Sequence, residues 1–307
     1  LCGAELKKAV HDIYRPSHLP ESPLTMWPSF RIIDTDTDGM IADPFSSQRY
    51  PVTGNTADPV YGMGYNAIAP PLWWHYAPSA ADSIVRDMHN VLPCNPNVTA
   101  NKAHYPPLPE LTSVAYDNGT WQSGTGMFAG SQINAYTPPM AIRGDIARIL
   151  MYMITVYDPG RWDMFISRMI HDEPYPALDP EFSAILLEWH HDDPADSHEI
   201  SRNHGIAAIQ GNANPFVDIP ELADHIWGTH RQIPWGTTDI ADQIRADYRI
   251  TDTIWLQSPY IPADASWSIN GISIDTKSIK ASDLGSGEHE LRYCTPDVRG
   301  KFTIRIS

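Results

Sequence analysis

The sequence predicts an α+β fold in two parts, a large domain over residues 1–232 and a small all-β, sandwich-like domain over residues 233–307. Apolar residues recur at helical spacing between about residues 143 and 227, and after Gln232 they alternate as in strands. The chain also holds 28 prolines against 19 glycines, which favours long irregular connections between short elements.

The elements predicted before residue 140 are short. Residues 5–13 are expected to form a helix because Leu6, Val10 and Ile13 recur at helical spacing. The remaining predictions for this part are a strand around 30–33, a helix or strand over 83–90, an irregular segment over 93–109 and a surface hairpin or loop over 117–132.

The clearest helix is predicted over residues 143–157, where five apolar residues form one stripe and Asp158-Pro159-Gly160 ends it. Three more helices are predicted over 180–191, from Ser197 to about Gln210, and over 221–227. The tail alternates apolar and polar residues between turn sequences such as Asn270-Gly271, which predicts strands.

The charge of the chain opposes one class of partner. The formal net charge is −16, and affinity for nucleic acid depends mainly on Lys and Arg neutralising phosphates. A local basic groove could still exist, but between Tyr50 and Ile142 the only basic residues are Arg86 and Lys102. Nucleic-acid binding is therefore doubtful.

Other bulk features concern the compartment. No run of 18 apolar residues exists, so no membrane span is expected. The chain starts at Leu1 without a visible signal peptide, as a processed mature protein would. The three cysteines, Cys2, Cys94 and Cys294, allow one disulfide and one free thiol, or three unpaired thiols.

Several motifs, in the same order along the chain, resemble the bacterial endonuclease I family. They are Asp87-Met88-His89-Asn90-Val91-Leu92-Pro93, Arg143-Gly144-Asp145-Ile146-Ala147-Arg148, Trp189-His190-His191-Asp192-Asp193-Pro194, Arg202-Asn203 and Ile209-Gln210-Gly211-Asn212-Ala213-Asn214-Pro215-Phe216-Val217-Asp218. The resemblance covers roughly residues 1–230. It implies a ββα-metal (His-Me finger) nuclease fold, in which a His activates water beside a Mg²⁺ held by a Glu and an Asn.

The segment that should carry the chemistry departs from this family. The family has a run like Tyr-Asn-Arg-Glu-His-x-x-Pro-x-x-Trp, whereas this chain has Tyr65-Asn66 followed by Ala67, Ile68 and Ala69 and then Pro70. No general base and no carboxylate ligand remain there. Thr99 stands where the family has its ligand Asn, and Lys102 replaces an Arg. The sequence therefore predicts a degenerate site and leaves open whether the chain is an enzyme.

A rival interpretation keeps the activity. In it, His89, Asn101 and Lys102 form a rearranged site, and the chain is a Mg²⁺-dependent, non-specific DNA or RNA endonuclease. We consider His89 the best surviving candidate for a general base, although the resemblance suggests a structural role for the segment that contains it.

A separate acidic motif suggests a different cation. Asp34, Asp36 and Asp38 alternate with other residues and are followed by Gly39, as in the first half of a Ca²⁺ loop. The Glu expected at the twelfth position is Phe45. The alternatives are a bound Ca²⁺ and an acidic surface turn.

These observations lead to one functional expectation and one structural rival. We expect a pseudo-enzyme, secreted and located outside the cell or at its surface, whose nuclease scaffold is retained for binding or assembly. In the structural version, the β domain mediates self-association by adding strands to a neighbouring molecule.

Overall fold

The computed structural model describes residues 1–75, 83–157, 161–162, 166, 168–233, 235, 247–256, 266–276, 278–294 and 299–307. Its contacts divide the chain into two compact units, Leu1–Gln232 and Ile233–Ser307. Helices and strands both occur in the first unit and strands dominate the second, which confirms the predicted α+β class.

The helices of the described chain lie mostly in the first unit. In chain order they are α1 (Gly3–Tyr14), α2 (Trp27–Ile33), α3 (Pro96–Lys102), α4 (Arg143–Val156), α5 (Pro180–Asp192), α6 (Ser197–Gln210), α7 (Pro215–Asp218), α8 (Leu222–Ile226) and α9 (Ala281–Leu284). Short 3₁₀ turns occupy Pro23–Met26, Pro71–Trp73 and Met140–Ile142.

The strands of the first unit form small antiparallel groups. They are β1 (Met40–Ala42), β2 (Arg49–Pro51), β3 (Gly64–Ala67), β4 (Trp74–His75), β5 (Val91–Cys94), β6 (Ser113–Asp117), β7 (Gln122–Phe128), β8 (Ser131–Thr137) and β9 (Arg161–Trp162). Strand β1 pairs with β2, β3 with β5, β4 with β9, and β6, β7 and β8 form a three-stranded sheet.

A ββα element is formed by β3, β5 and α3. The two strands are antiparallel, with Ala67 opposite Val91, and α3 packs against β3. Asn95 caps α3 by accepting a hydrogen bond from the backbone N–H of Asn97, and Pro96 occupies the first helical turn. This start signal lies inside the 93–109 segment that we predicted to be irregular; the prediction was wrong for α3 and the end of β5, and residues 103–109 are irregular.

The central helix α4 forms the core of the first unit. Ile146, Leu150 and Met153 are fully buried, as the predicted apolar stripe requires, and α4 packs against α5 and α1. The helix ends at Val156, and the backbone N–H of Tyr157 bonds to the Met153 carbonyl. The predicted stop at residues 158–160 lies outside the described residues.

The predicted strand around 30–33 is wrong, because these residues belong to α2. Trp27 and Phe30, three positions apart, are both buried in the same cluster, which is helical spacing. Residues 83–90 form mainly turns rather than the predicted helix or strand. The predicted hairpin over 117–132 is real, and it is extended by β6 and β8 into the three-stranded sheet.

The second unit is built around a five-stranded sheet in the order β10–β16–β15–β12–β13. Its strands are β10 (Asp247–Tyr248), β12 (Ser266–Ile269), β13 (Ile272–Ile274), β15 (Gly287–Cys294) and β16 (Arg299–Ile306). Strands β11 (Thr253–Trp255) and β14 (Ser278–Lys280) form a separate pair, and together these elements enclose one apolar cluster. The short helix α9 was not predicted.

Candidate functional site: the ββα element

The segment Ala67–Ala69 is largely buried, and its backbone is hydrogen-bonded to Asn90. Ile68 and Ala69 are almost fully buried. The Asn90 side chain accepts a hydrogen bond from the Ala69 N–H at 2.8 Å and donates one to the Ala69 carbonyl at 2.9 Å. The backbone N–H of Ile68 also bonds to the Asn90 carbonyl. The segment has no titratable side chain, so it supplies neither a base nor a carboxylate ligand.

Lys102 lies beneath this segment rather than in solvent. Its side chain is fully buried, and its Nζ donates to the carbonyls of Ala67 and Ile68 at 3.2 and 3.3 Å. The ammonium also lies 4.9 Å from the centre of the Tyr136 ring. Burial lowers the pKa of Lys102 to about 7, which disfavours the positive charge that a phosphate contact would need.

Thr99 is engaged with the neighbouring strand. Its Oγ1 donates to the Tyr65 carbonyl at 3.0 Å and accepts a hydrogen bond from the Asn66 Nδ2 at 3.3 Å. The Asn66 Oδ1 is buried and has no hydrogen-bond partner in the described chain. One hydroxyl and one amide oxygen, with no carboxylate beside them, do not fit the donor set that Mg²⁺ prefers.

His89 does not belong to this cluster. It is buried, and its Nε2 lies 2.9 Å from the Asn212 carbonyl. A carbonyl only accepts hydrogen bonds, so Nε2 carries the hydrogen and cannot take up a proton. Burial lowers the pKa of the imidazole, and the ring packs edge-on against Tyr152 at 4.9 Å. In this position the His89 ring is enclosed by protein.

The three residues of the predicted rearranged site therefore have separate environments. His89 bonds to Asn212, and Lys102 bonds to Ala67 and Ile68. Asn101 donates its side-chain amide to the Asn97 carbonyl, one turn back on α3. The structure places Lys102 and Thr99 against β3, but it does not bring His89 into contact with either.

The other motifs surround a buried polar network centred on Asp87. Its carboxylate accepts hydrogen bonds from the hydroxyls of Tyr152 and Tyr157 at 2.7 and 2.8 Å. It also accepts from the backbone N–H of His89 and from the Gln210 side chain. Four donors for one buried carboxylate explain why this acid is stable away from water.

Arg202 extends this network to other parts of the chain. It donates to Asp34 at 2.6 Å and to the carbonyls of Met88 and Val91 at 3.2 and 2.9 Å. The guanidinium thereby connects α6 to the end of α2 and to the segment leading into β5. The hydrogen bonds of these motif residues stabilise the fold, so their presence in the sequence does not require a catalytic role.

The three aspartates of the predicted Ca²⁺ loop do not converge. Asp34 is buried and paired with Arg202, whereas Asp36 and Asp38 both pair with Arg49 on β2. The Asp36 Oδ1 also accepts backbone hydrogen bonds from Asp38 and Met40, as in an acidic turn. No group of three His, Cys, Asp or Glu residues in the described chain is arranged for a metal ion. The described geometry does not bring the three carboxylates together, and a bound Ca²⁺ stays a prediction.

The two basic residues between Tyr50 and Ile142 both donate hydrogen bonds to backbone carbonyls of the protein. Lys102 is buried, and Arg86 is half-buried and donates to the Pro20 carbonyl at 3.0 Å. The ββα element therefore lies in a stretch with no fully exposed basic side chain. A polyanion would find little positive charge there.

Two further sequence-based expectations concern the whole chain. Cys2, Cys94 and Cys294 form no disulfide in this structure, so the alternative of one disulfide is not realised. In the described part of the chain, none of the helices has the length and apolarity needed to cross a membrane.

The burial of Lys102 was not predicted from the sequence. Val98, one turn earlier on α3, is buried, and residues four apart share a helix face. That spacing predicts an inward Lys102 once α3 is recognised as a helix. Tyr136, whose ring lies next to the ammonium, could not be found in this way because it comes from β8.

The fold and these contacts define a ββα nuclease-type domain whose Ala67–Ala69 segment carries no titratable side chain. A sequence model described as Endonuclease I matches residues 33–221, more than half of the chain. The chain belongs to the Endonuclease I family.

Similarity to characterised proteins points the same way. The chain is 30% identical over 146 residues to an extracellular ribonuclease of Bacillus amyloliquefaciens, covering 46% of each chain. It is 30% identical over 144 residues to the extracellular ribonuclease of Bacillus subtilis (strain 168), again covering 46% of each. An extracellular deoxyribonuclease of Aeromonas hydrophila is 29% identical over 133 residues, which cover 43% of this chain and 49% of that protein. The chain thus spans about half the length of the relatives it matches.

Proposed function

We propose that this chain is an extracellular member of the Endonuclease I family that does not cleave nucleic acid and serves as a binding or structural protein. The observation that carries the proposal is the Ala67–Ala69 segment. It has no titratable side chain, and the Lys102 ammonium and the Asn90 amide bond to its backbone. A water molecule there would have no base to activate it and no carboxylate-bound metal beside it.

The extracellular location rests on the relatives. The similar proteins from Bacillus and Aeromonas are named extracellular ribonucleases or an extracellular deoxyribonuclease. The net charge of −16 supports the loss of nucleic-acid binding, because it repels phosphates at long range.

The test is a cleavage assay on plasmid DNA and on single-stranded RNA, with Mg²⁺ or Mn²⁺ added. We expect no cleavage at high protein concentration. The matched control is the double variant His89→Ala, Asn101→Ala, whose folding is checked by circular dichroism because His89 is buried. Cleavage that needs the added metal and disappears in the folded variant would establish the rival, a Mg²⁺-dependent endonuclease with a rearranged site. Cleavage equal in both proteins would come from a contaminating nuclease.

A structural role has one specific observation in its favour. Strand β13 forms the edge of the five-stranded sheet in the described chain, and Ile272 on it is 72% exposed. An exposed apolar edge strand is a site for pairing with another chain. Self-association through the second unit predicts a mass that rises with concentration in light scattering. The Ile272→Lys variant should then remain monomeric at all dilutions, and a monomeric native chain would exclude this role.

A further inference from the structure

The dipeptide Asn-Gly occurs twice in the sequence, each time in an exposed turn between two antiparallel strands. Asn118-Gly119 belongs to the connection between β6 and β7, and Asn270-Gly271 forms the connection between β12 and β13. In such a dipeptide the backbone nitrogen of the glycine can attack the side-chain carbonyl of the asparagine, because glycine has no Cβ to obstruct it. The same reaction can therefore be compared in two environments of one chain.

The N–H of Gly119, the attacking group in the first turn, is bonded to a carboxylate. It donates to the Asp117 Oδ1 at 2.7 Å, and the other oxygen of this carboxylate accepts from the Gln122 Nε2 at 2.7 Å. Both hydrogen bonds lower the pKa of Asp117, so the carboxylate is ionised at neutral pH. A base within hydrogen-bond distance of the proton to be removed meets the geometric requirement for general base catalysis.

The carbonyl oxygen of the Asn118 side chain is bonded as well. Its Oδ1 accepts hydrogen bonds from the backbone N–H groups of Thr120 and Trp121, both at 3.0 Å. Attack on Cγ places negative charge on this oxygen, and N–H donors at about 2.7–3.1 Å stabilise such an oxyanion. The departing Nδ2 has only a long contact, of 3.5 Å, to the Phe45 carbonyl. The leaving group is therefore the least constrained part of this side chain.

Space is also available for the attack. Gly119 has a φ of +88°, and no atom lies within 4 Å of the position that a Cβ would occupy. The ring that forms contains Cα, Cβ, Cγ and the carbonyl carbon of Asn118 together with the Gly119 nitrogen. It closes by rotation about bonds of Asn118 alone, so no other element has to move.

Asn270 has the opposite arrangement. Its Nδ2 donates to the His289 Nδ1 at 3.0 Å, and its Oδ1 accepts from the backbone N–H of Glu290 at 3.0 Å. The leaving group is therefore held, and the carbonyl oxygen has one N–H donor instead of two. In the described part of the chain, no carboxylate accepts the Gly271 N–H. Asn270 also has a left-handed backbone, with a φ of +50°, which directs the following nitrogen away from the side chain.

We propose that Asn118 is a self-modification site, at which the Asp117 carboxylate promotes attack of the Gly119 nitrogen on the Asn118 side chain and the release of ammonia. The N–Cγ bond forms while the N–H proton passes through the carboxylate to Nδ2. The Cγ–Nδ2 bond then breaks and leaves ammonia and a cyclic imide. Water opens either carbonyl of the imide, which gives aspartate or isoaspartate at this position. The proposal is independent of the loss of cleavage.

The product alters the contacts of the β6–β7 connection. Aspartate lacks the Nδ2 donor to the Phe45 carbonyl, and it adds a negative charge next to Asp117. Isoaspartate also lengthens the backbone by one carbon, which displaces Oδ1 from the N–H groups of Thr120 and Trp121. The reaction would therefore mark older molecules with an added charge and a weaker contact to the β1–β2 connection.

The test follows both dipeptides in the full chain during storage at neutral pH and physiological temperature. After digestion under mildly acidic conditions, mass spectrometry of the peptides detects the loss of ammonia in the imide and the conversion of amide to acid in the products. We expect Asn118 to react about tenfold faster than Asn270, a difference of about 1.4 kcal/mol in activation free energy. A rate at Asn118 that does not exceed the rate at Asn270 would overturn the proposal.

Two variants of Asp117 separate catalysis from restraint. Asp117→Asn keeps an oxygen that can accept the Gly119 N–H and removes the charge, whereas Asp117→Ala removes both. Asp117 is exposed, so neither variant should disturb folding. We expect both to slow the reaction at Asn118 by about tenfold and to leave Asn270, the internal control, unchanged. A faster reaction in Asp117→Ala would show that the hydrogen bond protects Asn118. That result, or unchanged rates in both variants, would reject the proposed role of the carboxylate.

Discussion

The polar network around Asp87 and the ββα element around Lys102 lie in the same unit, but their polar groups are used differently. Asp87 has four hydrogen-bond donors on its carboxylate, and Arg202 has one carboxylate and two carbonyls as acceptors. In the ββα element, the buried Lys102 ammonium has only backbone carbonyls, and Asn66 leaves its amide oxygen unpaired. The Asp87 carboxylate is fully supplied with donors, whereas the ββα element contains a buried amide oxygen without a donor in the described chain.

This difference indicates that the sequence motifs of a family can be retained for folding independently of the residues in its catalytic segment. The motifs around Asp87 and Arg202 hold together helices and strands far apart in sequence, so losing them would unfold the domain. The Ala67–Ala69 segment is joined to Asn90 and Lys102 through its backbone, so its position in the fold does not depend on the identity of its small or apolar side chains. Variants of the Asp87 network and variants of the ββα element test the two halves of this difference separately.

The largest expected effect is on the retained network. Asp87→Ala removes the fully buried carboxylate to which two tyrosine hydroxyls and the Gln210 amide donate. We expect the free energy of unfolding to fall by roughly 3 kcal/mol or more, measured by urea denaturation. The control Asp38→Ala removes an exposed carboxylate and should leave the urea midpoint nearly unchanged. Similar small effects for both variants would contradict a structural role for Asp87.

The next effect belongs to the ββα element and appears above neutral pH. The pKa of Lys102 is about 7 in the folded chain against about 10.4 when unfolded, so the unfolded chain binds more protons between these values. Stability should therefore rise by about 1–2 kcal/mol from pH 7 to pH 9. Above pH 9 the rise should end, since burial raises the pKa of the Cys94 thiol and the Tyr136 hydroxyl, and both ionise more easily when unfolded.

The matched variant for this prediction is Lys102→Met, which keeps an unbranched side chain and removes the ammonium. Its stability, from thermal unfolding at several pH values, should not rise between pH 7 and pH 9. A rise that persists in the variant would assign the pH dependence to another group.

A smaller effect is expected on the acid side, and it belongs to the retained motifs. Burial lowers the pKa of His190 to about 4, and its Nε2 bonds to the Pro220 carbonyl at 2.9 Å. The unfolded chain takes up this proton near pH 6.5, so stability should be lost as pH falls from 6.5 toward 4. His190→Gln can keep the donor and cannot titrate, so it should retain about 1 kcal/mol more of its pH 6.5 stability at pH 4.5. Parallel acid profiles for the two proteins would reject this cause.

The smallest expected effect concerns Asp36 and Asp38. Because Arg49 already pairs with both, millimolar Ca²⁺ should leave the melting temperature unchanged. Mg²⁺ at the same ionic strength is the control. A rise specific to Ca²⁺ would restore the interpretation of this turn as a calcium loop.

Much of the helical architecture could be predicted because it depends on local periodicity. The apolar stripe of α4, the acidic cap before α6 and Gly211 after it all mark helix positions directly in the sequence. Residues 30–33 were predicted as a strand although they are helical, because a short apolar run fits a strand and a buried helix equally well. Trp27 and Phe30 resolve this only when both are seen to pack into one cluster.

The sequence predicted which side chains the candidate site lacks. It did not predict which contacts are made in their place. The absence of a Glu-His pair is visible in Ala67, Ile68 and Ala69 themselves. The replacement contacts join residues far apart in the chain: Lys102 to β3 and to Tyr136 on β8, and Asp34 to Arg202. Periodicity carries no information on such pairs, because packing between elements decides them.

By itself, the sequence determined the α+β class, the order of the main helices, the change to strands in the tail and the absence of titratable side chains from Ala67–Ala69, because each depends on residue type and local spacing. Only the tertiary structure decided that His89 is buried and bonded to the Asn212 carbonyl, that Lys102 is buried, and that the aspartates after α2 pair with arginines. These outcomes depend on burial and on partners distant in the chain, which set the protonation and the availability of every charged group.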